Sequence, residues 1–186
     1  MTEIKRCGWC EKDDLYRSYH DLEWGKPVYD DETIFEFLVL ESFQAGLSWY
    51  TILKKRNSFR EAFSEFDYRK IAEYTDAKVE ELMQNAGIVR NRLKILATIN
   101  NAKAFMNVQK EFGSFSKYIW NFVDGEPIDN KPATLKDVPA TNEISDQLAK
   151  DLKKRGFKFL GSTVIYAHMQ ATGMINDHIA DCHTRN

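Results

Sequence analysis

The sequence predicts an all-α protein, and the prediction rests on the spacing of its apolar residues. No segment alternates apolar and polar side chains with the period of two that is typical of a half-buried strand. Apolar side chains instead recur at intervals of three and four, most clearly between Val89 and Phe112. The chain has 186 residues, of which 43% are hydrophobic. We therefore expect residues 1–186 to form a single α-helical domain with room for two lobes.

The first predicted helices are bounded by residues that favour helix ends. Acids open the segment "DDETIFEFLVLESFQAG", and Gly46 closes it. The segment "LSWYTILKKR" predicts the next helix, and Asp67 and Thr75 suit the N-caps of two shorter ones. After the long helix, "SFSKYIWNFV" predicts another short helix. The stretch from Asp124 to Ala140 contains prolines and predicts a loop.

Two further helices are expected in the C-terminal part of the chain. Thr141 is positioned to open "NEISDQLAKDLKKR", and Gly156 to close it as a C-terminal cap. The segment "KFLGSTVIYAHMQATG" is apolar enough to be a buried helix. Helical segments therefore extend over nearly the whole chain.

Charge and composition limit the function classes. The net charge is −2, which excludes a uniformly basic surface but not a local basic face, for which Lys54–Arg56 and Lys153–Arg155 are candidates. The segment "MTEIKRCGW" lacks the apolar core of a signal peptide, and no apolar run has the roughly 20 residues of a membrane span. We expect a cytoplasmic protein, whose three cysteines are core residues, metal ligands or nucleophiles.

Potential zinc ligands lie near both ends of the chain. Cys7 and His20 are separated by twelve residues, and His178 and Cys182 by three. The second spacing predicts two side chains on one face of a helix. Two thiolates and two imidazoles would form a closed tetrahedral site with no open position for a substrate. The pattern predicts one structural zinc ion that joins the terminal segments.

Several alternatives to this ligand set remain open at this point. The cysteines and histidines are also compatible with scattered core and polar positions. Cys7 and Cys10 have the spacing of a redox pair, although neither a preceding strand nor a βαβ pattern surrounds them. The same two cysteines could both bind the zinc ion. His183, next to Cys182, is a possible substitute ligand.

Glu41 is an acid on an apolar helix face. It lies in line with Ile34, Phe37, Leu38 and Ala45 at helical spacing. A buried carboxylate is costly unless it is paired or hydrogen-bonded. Glu41 could therefore be part of a structural ion pair, reach solvent, or recognise a polar or cationic ligand in a pocket.

Polar and aromatic residues near Glu41 in the sequence suit a pocket for a planar base. Rings of this kind stack on flipped nucleobases while a polar side chain reads the edge of the base. The candidates are Trp9, Tyr16, Tyr19, Trp24, Gln44 and Trp49. Each aromatic residue alone is as compatible with the core as with a pocket.

Six blocks spread over nearly the whole chain form a recognisable set. They are "RCGW", "YHDLEWG", "LESFQAGLSWYTILKKR", "AGIVRNRLKI", "LKKRGFKFLGSTVIY" and "NDH" before the final cysteine. In this order they resemble the conserved blocks of the bacterial DNA-3-methyladenine glycosylase I family. The resemblance supports zinc bound by Cys7, His20, His178 and Cys182, and it leaves Cys10 without a role.

The resemblance also implies a helix-hairpin-helix DNA glycosylase fold. The hairpin would span residues 85–94, where Gly87 would take a positive φ and the next helix would hold a DNA phosphate with backbone N–H groups. Arg90, Arg92 and Lys94 would add positive charge. An ordinary helix–helix turn with a solvated basic face is the alternative for this stretch.

The activity implied by the resemblance is excision of N3-methyladenine from duplex DNA by a monomer. The damaged base would be flipped out, with Gly46 and Leu47 filling the gap. Trp9 and Trp49 would stack on the cationic base, and Glu41 would accept from its amine. Tyr16, Tyr19 and Gln44 would complete the pocket.

No catalytic aspartate and no lyase lysine is expected, so hydrolysis would leave an abasic site without strand cleavage. A zinc-stapled DNA-binding module without catalysis and a thiol oxidoreductase that uses Cys7 and Cys10 are the competing functions.

Overall fold

The computed structural model describes residues 4–185, and helices dominate this part of the chain. The helices are α1 (Asp14–Leu22), α2 (Asp31–Gln44), α3 (Trp49–Ala62), α4 (Tyr68–Ile71), α5 (Asp76–Gln84), α6 (Arg92–Phe112), α7 (Phe115–Trp120), α8 (Glu143–Lys154) and α9 (Ser162–Ala171). Short 3-10 helices occur at Gly8–Cys10, Ser64–Phe66, Asn121–Val123, Leu135–Asp137 and His183–Arg185. The all-α prediction is confirmed.

Local capping explains most of the helix boundaries. Asp67 and Thr75 are the N-caps of α4 and α5, as the sequence predicts, and each side chain accepts a hydrogen bond from a backbone N–H group. Gly156 follows α8 with a φ of +88°. The N-cap predicted at Thr141 is wrong by one residue. Asn142 is the N-cap of α8, because its side chain and that of Ser145 bond reciprocally to each other's backbone N–H groups.

The predicted loop between Asp124 and Ala140 contains a short strand. Strand β1 (Ile128–Asp129) pairs in parallel with β2 (Ile175–Asn176), and Ile128 lies opposite Ile175. Two residues are too few to show a period of two, which is why the sequence analysis missed both strands. The pairing holds the segment after β2 against the loop that contains β1.

Helix α2 runs through the centre of the core. Nine of its 14 residues are buried, so both the expected stripe and the flanking faces pack against other helices. The Phe35 ring lies 5.1 Å from that of Phe105 in α6, and the Phe43 ring lies 4.9 Å from that of Phe59 in α3. Any side chain near the middle of α2 is therefore carried into the interior.

The longest helix, α6, has 21 residues and packs against α4, α5 and α7. Polar and charged residues interrupt its apolar face throughout. Within residues 4–185, no helix combines the length with the apolar character that crossing a bilayer requires.

Asp31 connects α2 to the start of α7. Its carboxylate accepts from the backbone N–H groups of Phe115 at 2.9 Å and Ser116 at 2.8 Å, and from the Gln109 amide at 2.6 Å. The N–H groups at the start of a helix have no partner within that helix. Asp31 therefore supplies acceptors to α7 from a distant part of the chain.

We expect Asp31→Ala to lower the free energy of unfolding by about 2 kcal/mol, because it removes three hydrogen bonds to one carboxylate. Chemical denaturation of the purified variant measures this loss. Glu32→Ala is the matched control, since Glu32 forms an exposed ion pair with Arg69, worth at most about 1 kcal/mol. Equal stability of the two variants would contradict the capping role.

Candidate active site in an aromatic cavity

A cavity of about 290 Å³ lies among α1, α2, α3 and α9. This volume is close to the lower end, roughly 300 Å³, of ordinary small-ligand sites. The residues that line it are Trp9, Tyr16, Tyr19, Trp24, Glu41, Gln44, Trp49, Leu135, Val138, Ala167, Gln170 and Asp177. The structure thus brings Glu41 and all five other residues predicted for the base pocket into one cavity.

Glu41 is buried in the cavity wall without a protein partner. Its side chain is 3% exposed, and among residues 4–185 it forms neither an ion pair nor a hydrogen bond. Burial raises the pKa of its carboxyl group to about 8, because an apolar environment disfavours the charged form. Neither the structural ion pair nor the solvent-exposed carboxylate considered from the sequence is observed. A polar or cationic ligand in the cavity would supply the partner that this carboxyl group lacks.

Aromatic rings surround Glu41 in a continuous cluster. The ring centroids of Trp9 and Tyr16 lie 4.9 Å apart, and those of Tyr19 and Trp49 lie 5.5 Å apart. The Trp49 Nε1 atom is buried and has no hydrogen-bond partner. A flat, electron-poor ligand would find ring faces and an unused donor here.

Six lining residues were not assigned to the site from the sequence. Trp24 was considered with the other aromatics but not assigned, and Leu135, Val138, Ala167 and Gln170 carry no local signal. Asp177, the sixth, lies within the "NDH" block, which was the signal available for it. Ala167 and Gln170 belong to α9 and Asp177 directly follows β2, so the C-terminal part of the fold forms one side of the cavity.

A cluster of metal-binding atoms lies next to the cavity. Cys7, His20, His178 and Cys182 are buried, and their ligand atoms all lie within 4.8 Å of one another. The Cys182 Sγ atom is 3.5 Å from both His20 Nε2 and His178 Nδ1, and Cys7 Sγ is 3.6 Å from His178 Nδ1. These four residues could hold a metal ion.

The expected helix through His178 and Cys182 is wrong. Both residues lie in irregular structure after β2, where the Cys182 N–H group donates to the Ile179 carbonyl at 2.9 Å in a tight turn. The turn brings the two side chains together as a helix would. The two side chains therefore lie close together as predicted, although the element that carries them is a turn and not a helix.

Both histidines are oriented by a second contact. His20 Nδ1 lies 2.7 Å from an Asp21 carboxylate oxygen, and His178 Nε2 lies 3.0 Å from the Trp24 carbonyl. The opposite ring nitrogens consequently face the cysteines. His183 contacts Asp21 at 3.0 Å rather than the four-residue cluster, so it is not placed as a substitute ligand.

Cys10 is buried but does not join the cluster. Its thiol donates to the Cys7 carbonyl at 3.2 Å. Burial raises the pKa of the Cys10 thiol to about 11, and a redox-active cysteine requires the opposite shift. The structure therefore opposes both the redox pair and joint metal ligation by the two cysteines.

The metal-binding cluster and the cavity share a wall. The Trp9 ring lies 5.2 Å from that of His20, and the Trp24 ring lies 4.6 Å from that of His178. Each tryptophan thus has one side toward a candidate ligand and also lines the cavity. The position of the cluster fixes the position of these two rings.

Comparison with known proteins identifies the family of the chain. Residues 9–186 match the family model described as methyladenine glycosylase. The chain belongs to the methyladenine glycosylase family. It is 49% identical to the DNA-3-methyladenine glycosylase of Haemophilus influenzae, over 95% of this chain and 96% of that one. It is 46% identical to DNA-3-methyladenine glycosylase 1 of Escherichia coli, over 96% of each chain.

The fold agrees equally well with solved structures of methyladenine glycosylases. One is a structure of 3-methyladenine DNA glycosylase I from Staphylococcus aureus, described as the structural basis of 3-methyladenine recognition. That enzyme is 39% identical to this chain, with a TM-score of 0.95 over 98% of this chain and 97% of the other. The close superposition shows that the chain has the same mostly helical fold as these glycosylases.

In this methyladenine glycosylase, the predicted gap-filling residues lie directly after α2. Gly46 has a φ of +83°, and Leu47 is 42% exposed. The turn is held by Lys94, whose ammonium group donates to the carbonyls of Phe43 and Ala45 at 3.0 Å each. Lys94 is only 6% exposed, so its predicted place on the basic surface is wrong. It caps α2 because the last carbonyls of a helix have no partners within it.

The predicted hairpin, residues 85–94, connects α5 to α6. Gly87 does not have a positive φ there, contrary to expectation. A Cβ atom at Gly87 would lie 2.9 Å from the Ser58 Cβ atom, so the glycine allows close packing against α3. Arg90 is exposed, whereas Arg92 is paired with Glu80 at 2.5 and 2.7 Å.

The two basic triplets contribute lysines rather than arginines to the surface. Lys54 is exposed, but Arg56 is buried and bound by Glu36 at 2.6 Å and Glu23 at 2.7 Å. In the second triplet, Lys153 and Lys154 are exposed, and Arg155 pairs with Glu111 and Asp151. Each triplet therefore retains fewer free charges than its sequence indicates.

The raised pKa of Glu41 predicts a specific pH dependence of stability. Between its ordinary value of 4.5 and about 8, the folded protein keeps the proton and the unfolded chain does not. Raising the pH in this window therefore destabilises the fold, by about 1.4 kcal/mol per unit. Glu41→Gln removes the titrating group, so we expect its free energy of unfolding to rise relative to that of the wild-type protein between pH 6 and 8. Denaturation at several pH values measures the difference, and a constant difference would show that Glu41 is not buried as described.

Proposed function

We propose that the protein hydrolyses the N-glycosidic bond of N3-methyladenine in alkylated duplex DNA. The observation that carries the proposal is Glu41, an unpaired buried carboxyl group among aromatic rings, in a chain of the methyladenine glycosylase family. The products are the free base and an abasic site.

The chemistry of the substrate explains what the cavity must do. Methylation at N3 places a positive charge on the adenine ring, so the base is already a good leaving group. The enzyme therefore needs selective binding more than strong activation of the bond. In our proposal, Trp9 and Trp49 stack on the cationic base, and Tyr16, Tyr19 and Gln44 complete the pocket.

Glu41 accepts a hydrogen bond from the exocyclic amine of the base. A nearby cation favours the ionised form of a carboxyl group. Binding of the charged base therefore lowers the pKa of Glu41 from its raised value of about 8 and releases its proton. The energy that burial of the acid costs in the free protein is offset when the cationic substrate arrives.

The base reaches the cavity by flipping out of the duplex, since its reactive bond is inaccessible in the stack. Gly46 and Leu47 occupy the space that it leaves, and they directly follow the helix that carries Glu41. Exposed Leu47 suits insertion between bases. Lys94 stabilises this turn through its hydrogen bonds to the carbonyls at the end of α2.

Phosphate contacts would come from the α5–α6 hairpin with Gly87, Arg90 and Arg92. Such contacts fix the position of the duplex and carry no sequence information. Arg92 would exchange Glu80 for a phosphate on binding. Among the described residues, no lysine lines the cavity, which supports hydrolysis without a Schiff base and without strand cleavage. We further propose that the enzyme acts as a cytoplasmic, single-domain monomer.

The metal in our proposal is one structural zinc ion bound by Cys7, His20, His178 and Cys182. Two sulfur and two nitrogen ligands complete a tetrahedral zinc site and leave no position for a substrate. The contact of Asp21 with His20 orients that ligand. Zinc would stabilise the terminal segments and the tryptophans that pack on the histidines, without taking part in the reaction.

Release of free base from methylated duplex DNA tests the proposed function directly. We expect the purified protein to liberate N3-methyladenine and to leave abasic sites that are cleaved only after alkali treatment. Binding without base release would identify a DNA-binding module instead. Strand cleavage without alkali would contradict the monofunctional mechanism.

We expect Glu41→Gln to weaken binding of 3-methyladenine by roughly tenfold to a hundredfold, because it removes a charge-assisted hydrogen bond. Base excision should slow in parallel, while the metal content stays normal. Titration of the free base followed by tryptophan fluorescence gives the affinity. Glu32→Gln is the control, since Glu32 is an exposed acid on the same helix. An unchanged affinity in the Glu41 variant would remove this residue from the pocket.

We expect Cys182→Ser to lose zinc and to lower the free energy of unfolding by at least about 2 kcal/mol, because metal binding and folding are coupled. Metal analysis after dialysis and thermal unfolding measure the two effects. Cys10→Ser should keep a full metal content, since the Cys10 sulfur lies outside the cluster. A full complement of zinc in the Cys182 variant would contradict the ligand assignment.

A further inference from the structure

Asp177 is a second carboxylate in the cavity wall. It follows β2 directly, is 1% exposed and lines the same cavity as Glu41. One of its oxygens accepts from the Tyr166 hydroxyl at 2.7 Å and from the Gln170 amide at 2.8 Å. The other oxygen accepts from the Asn130 amide at 2.8 Å. The side chain is therefore held in one orientation by three donors.

All three of these donors are neutral. Among residues 4–185, no lysine, arginine or histidine forms an ion pair with Asp177, although 19 such contacts occur elsewhere. Hydrogen bonds from neutral groups satisfy the oxygens of a carboxylate but do not cancel its charge. The cavity therefore contains a negative charge that has no counterion within the described chain.

We propose that Asp177 is a specificity-determining residue, whose uncompensated charge selects the cationic N3-methylated base over neutral nucleobases. The inference rests on the proposed function and adds a second carboxylate with a different task. A neutral adenine has the same ring shape but gains little from this charge. A cationic base is attracted to the carboxylate, and this attraction is stronger in a cavity of low polarity than in water.

Asp177 and Glu41 differ in the contacts that each has before the substrate binds. Burial without any hydrogen-bond donor raises the pKa of Glu41 to about 8, so at neutral pH it is largely protonated before the base arrives. Asp177 has its donors already in place. It is therefore already oriented when the base arrives, whereas Glu41, which has no donor among the described residues, is free to read the edge of the bound base.

The Asp177 network also fixes the Gln170 side chain. Because the Gln170 amide nitrogen donates to Asp177, its carbonyl oxygen is the atom left for another partner. Gln170 lines the cavity. Asp177 thus adds a positioning effect to its charge, and the test below separates the two.

The test compares a cationic and a neutral ligand of the same shape. One duplex carries N3-methyladenine, and the other carries an isostere in which a carbon bearing the methyl group replaces N3. Single-turnover excision gives the half-saturating enzyme concentration and the maximal rate for the first duplex. Equilibrium binding gives the affinity for the second.

For Asp177→Asn we expect the half-saturating concentration to rise about tenfold, while the maximal rate stays within about threefold and the isostere affinity within about twofold. The amides of Asn130 and Gln170 can each rotate to present oxygen, so the variant can keep its hydrogen bonds. An equal loss for both duplexes, no loss, or a fall in the maximal rate alone would overturn the proposal.

Asn130→Lys provides a second test that leaves Asp177 in place. Asn130 is exposed, lies outside the cavity lining and contacts the Asp177 carboxylate. A lysine there can therefore pair with Asp177 without entering the cavity. We expect the same selective loss for the cationic duplex. Ala133→Lys is the matched control, because it adds the same charge on an exposed part of the same loop.

If Asp177→Asn does not fold, Asn130→Lys decides the question. Equal discrimination between the two duplexes by Asn130→Lys and Ala133→Lys would then overturn the proposal. The proposed function fails separately if the wild-type protein releases no base from the methylated duplex. A wild-type enzyme that releases the base, with variants that lose affinity for both duplexes equally, overturns the role of Asp177 alone.

Discussion

The site depends on one energetic constraint, which is the burial of an acid on the most enclosed helix of the protein. Helix α2 carries Glu41 into the interior because residues on nearly all of its faces pack against other helices. An acid buried without a partner costs several kcal/mol, on the order of 2–7. The packing of the surrounding core offsets this cost, and the hydrogen-bonding capacity of the Glu41 carboxyl group stays unused among residues 4–185.

The metal-binding cluster and the base cavity are parts of one structural unit. Trp9 follows Cys7 in the same short segment, and Trp24 follows His20 at the end of α1. Cys7 and His20 therefore each have a cavity-lining ring a few residues further along the chain. A metal ion held by the four residues would thus also fix the two tryptophans that form one wall of the cavity.

Helix boundaries and the candidate acid followed from the sequence because they depend on local chemistry. Caps at Asp67 and Thr75 involve neighbouring backbone groups, and the apolar periodicity around Glu41 is a property of a single helix. Two of the wrong predictions have the opposite cause. Lys94 is buried because it meets the distant end of α2, and Gly87 is a glycine because Ser58 of α3 lies against it.

The sequence by itself determined the helical class, the acid on an apolar face and the residues able to bind a metal, since residue type and spacing carry that information. Only the tertiary structure decided that Gln170 and Asp177 share a cavity with Glu41, and that His178 and Cys182 converge through a turn rather than a helix. Glu41 and Asp177 are more than a hundred residues apart, so their proximity depends on how whole helices pack, which no local pattern records. The spacing of His178 and Cys182 suits a turn as well as a helix, and the packing of the chain end selects between them.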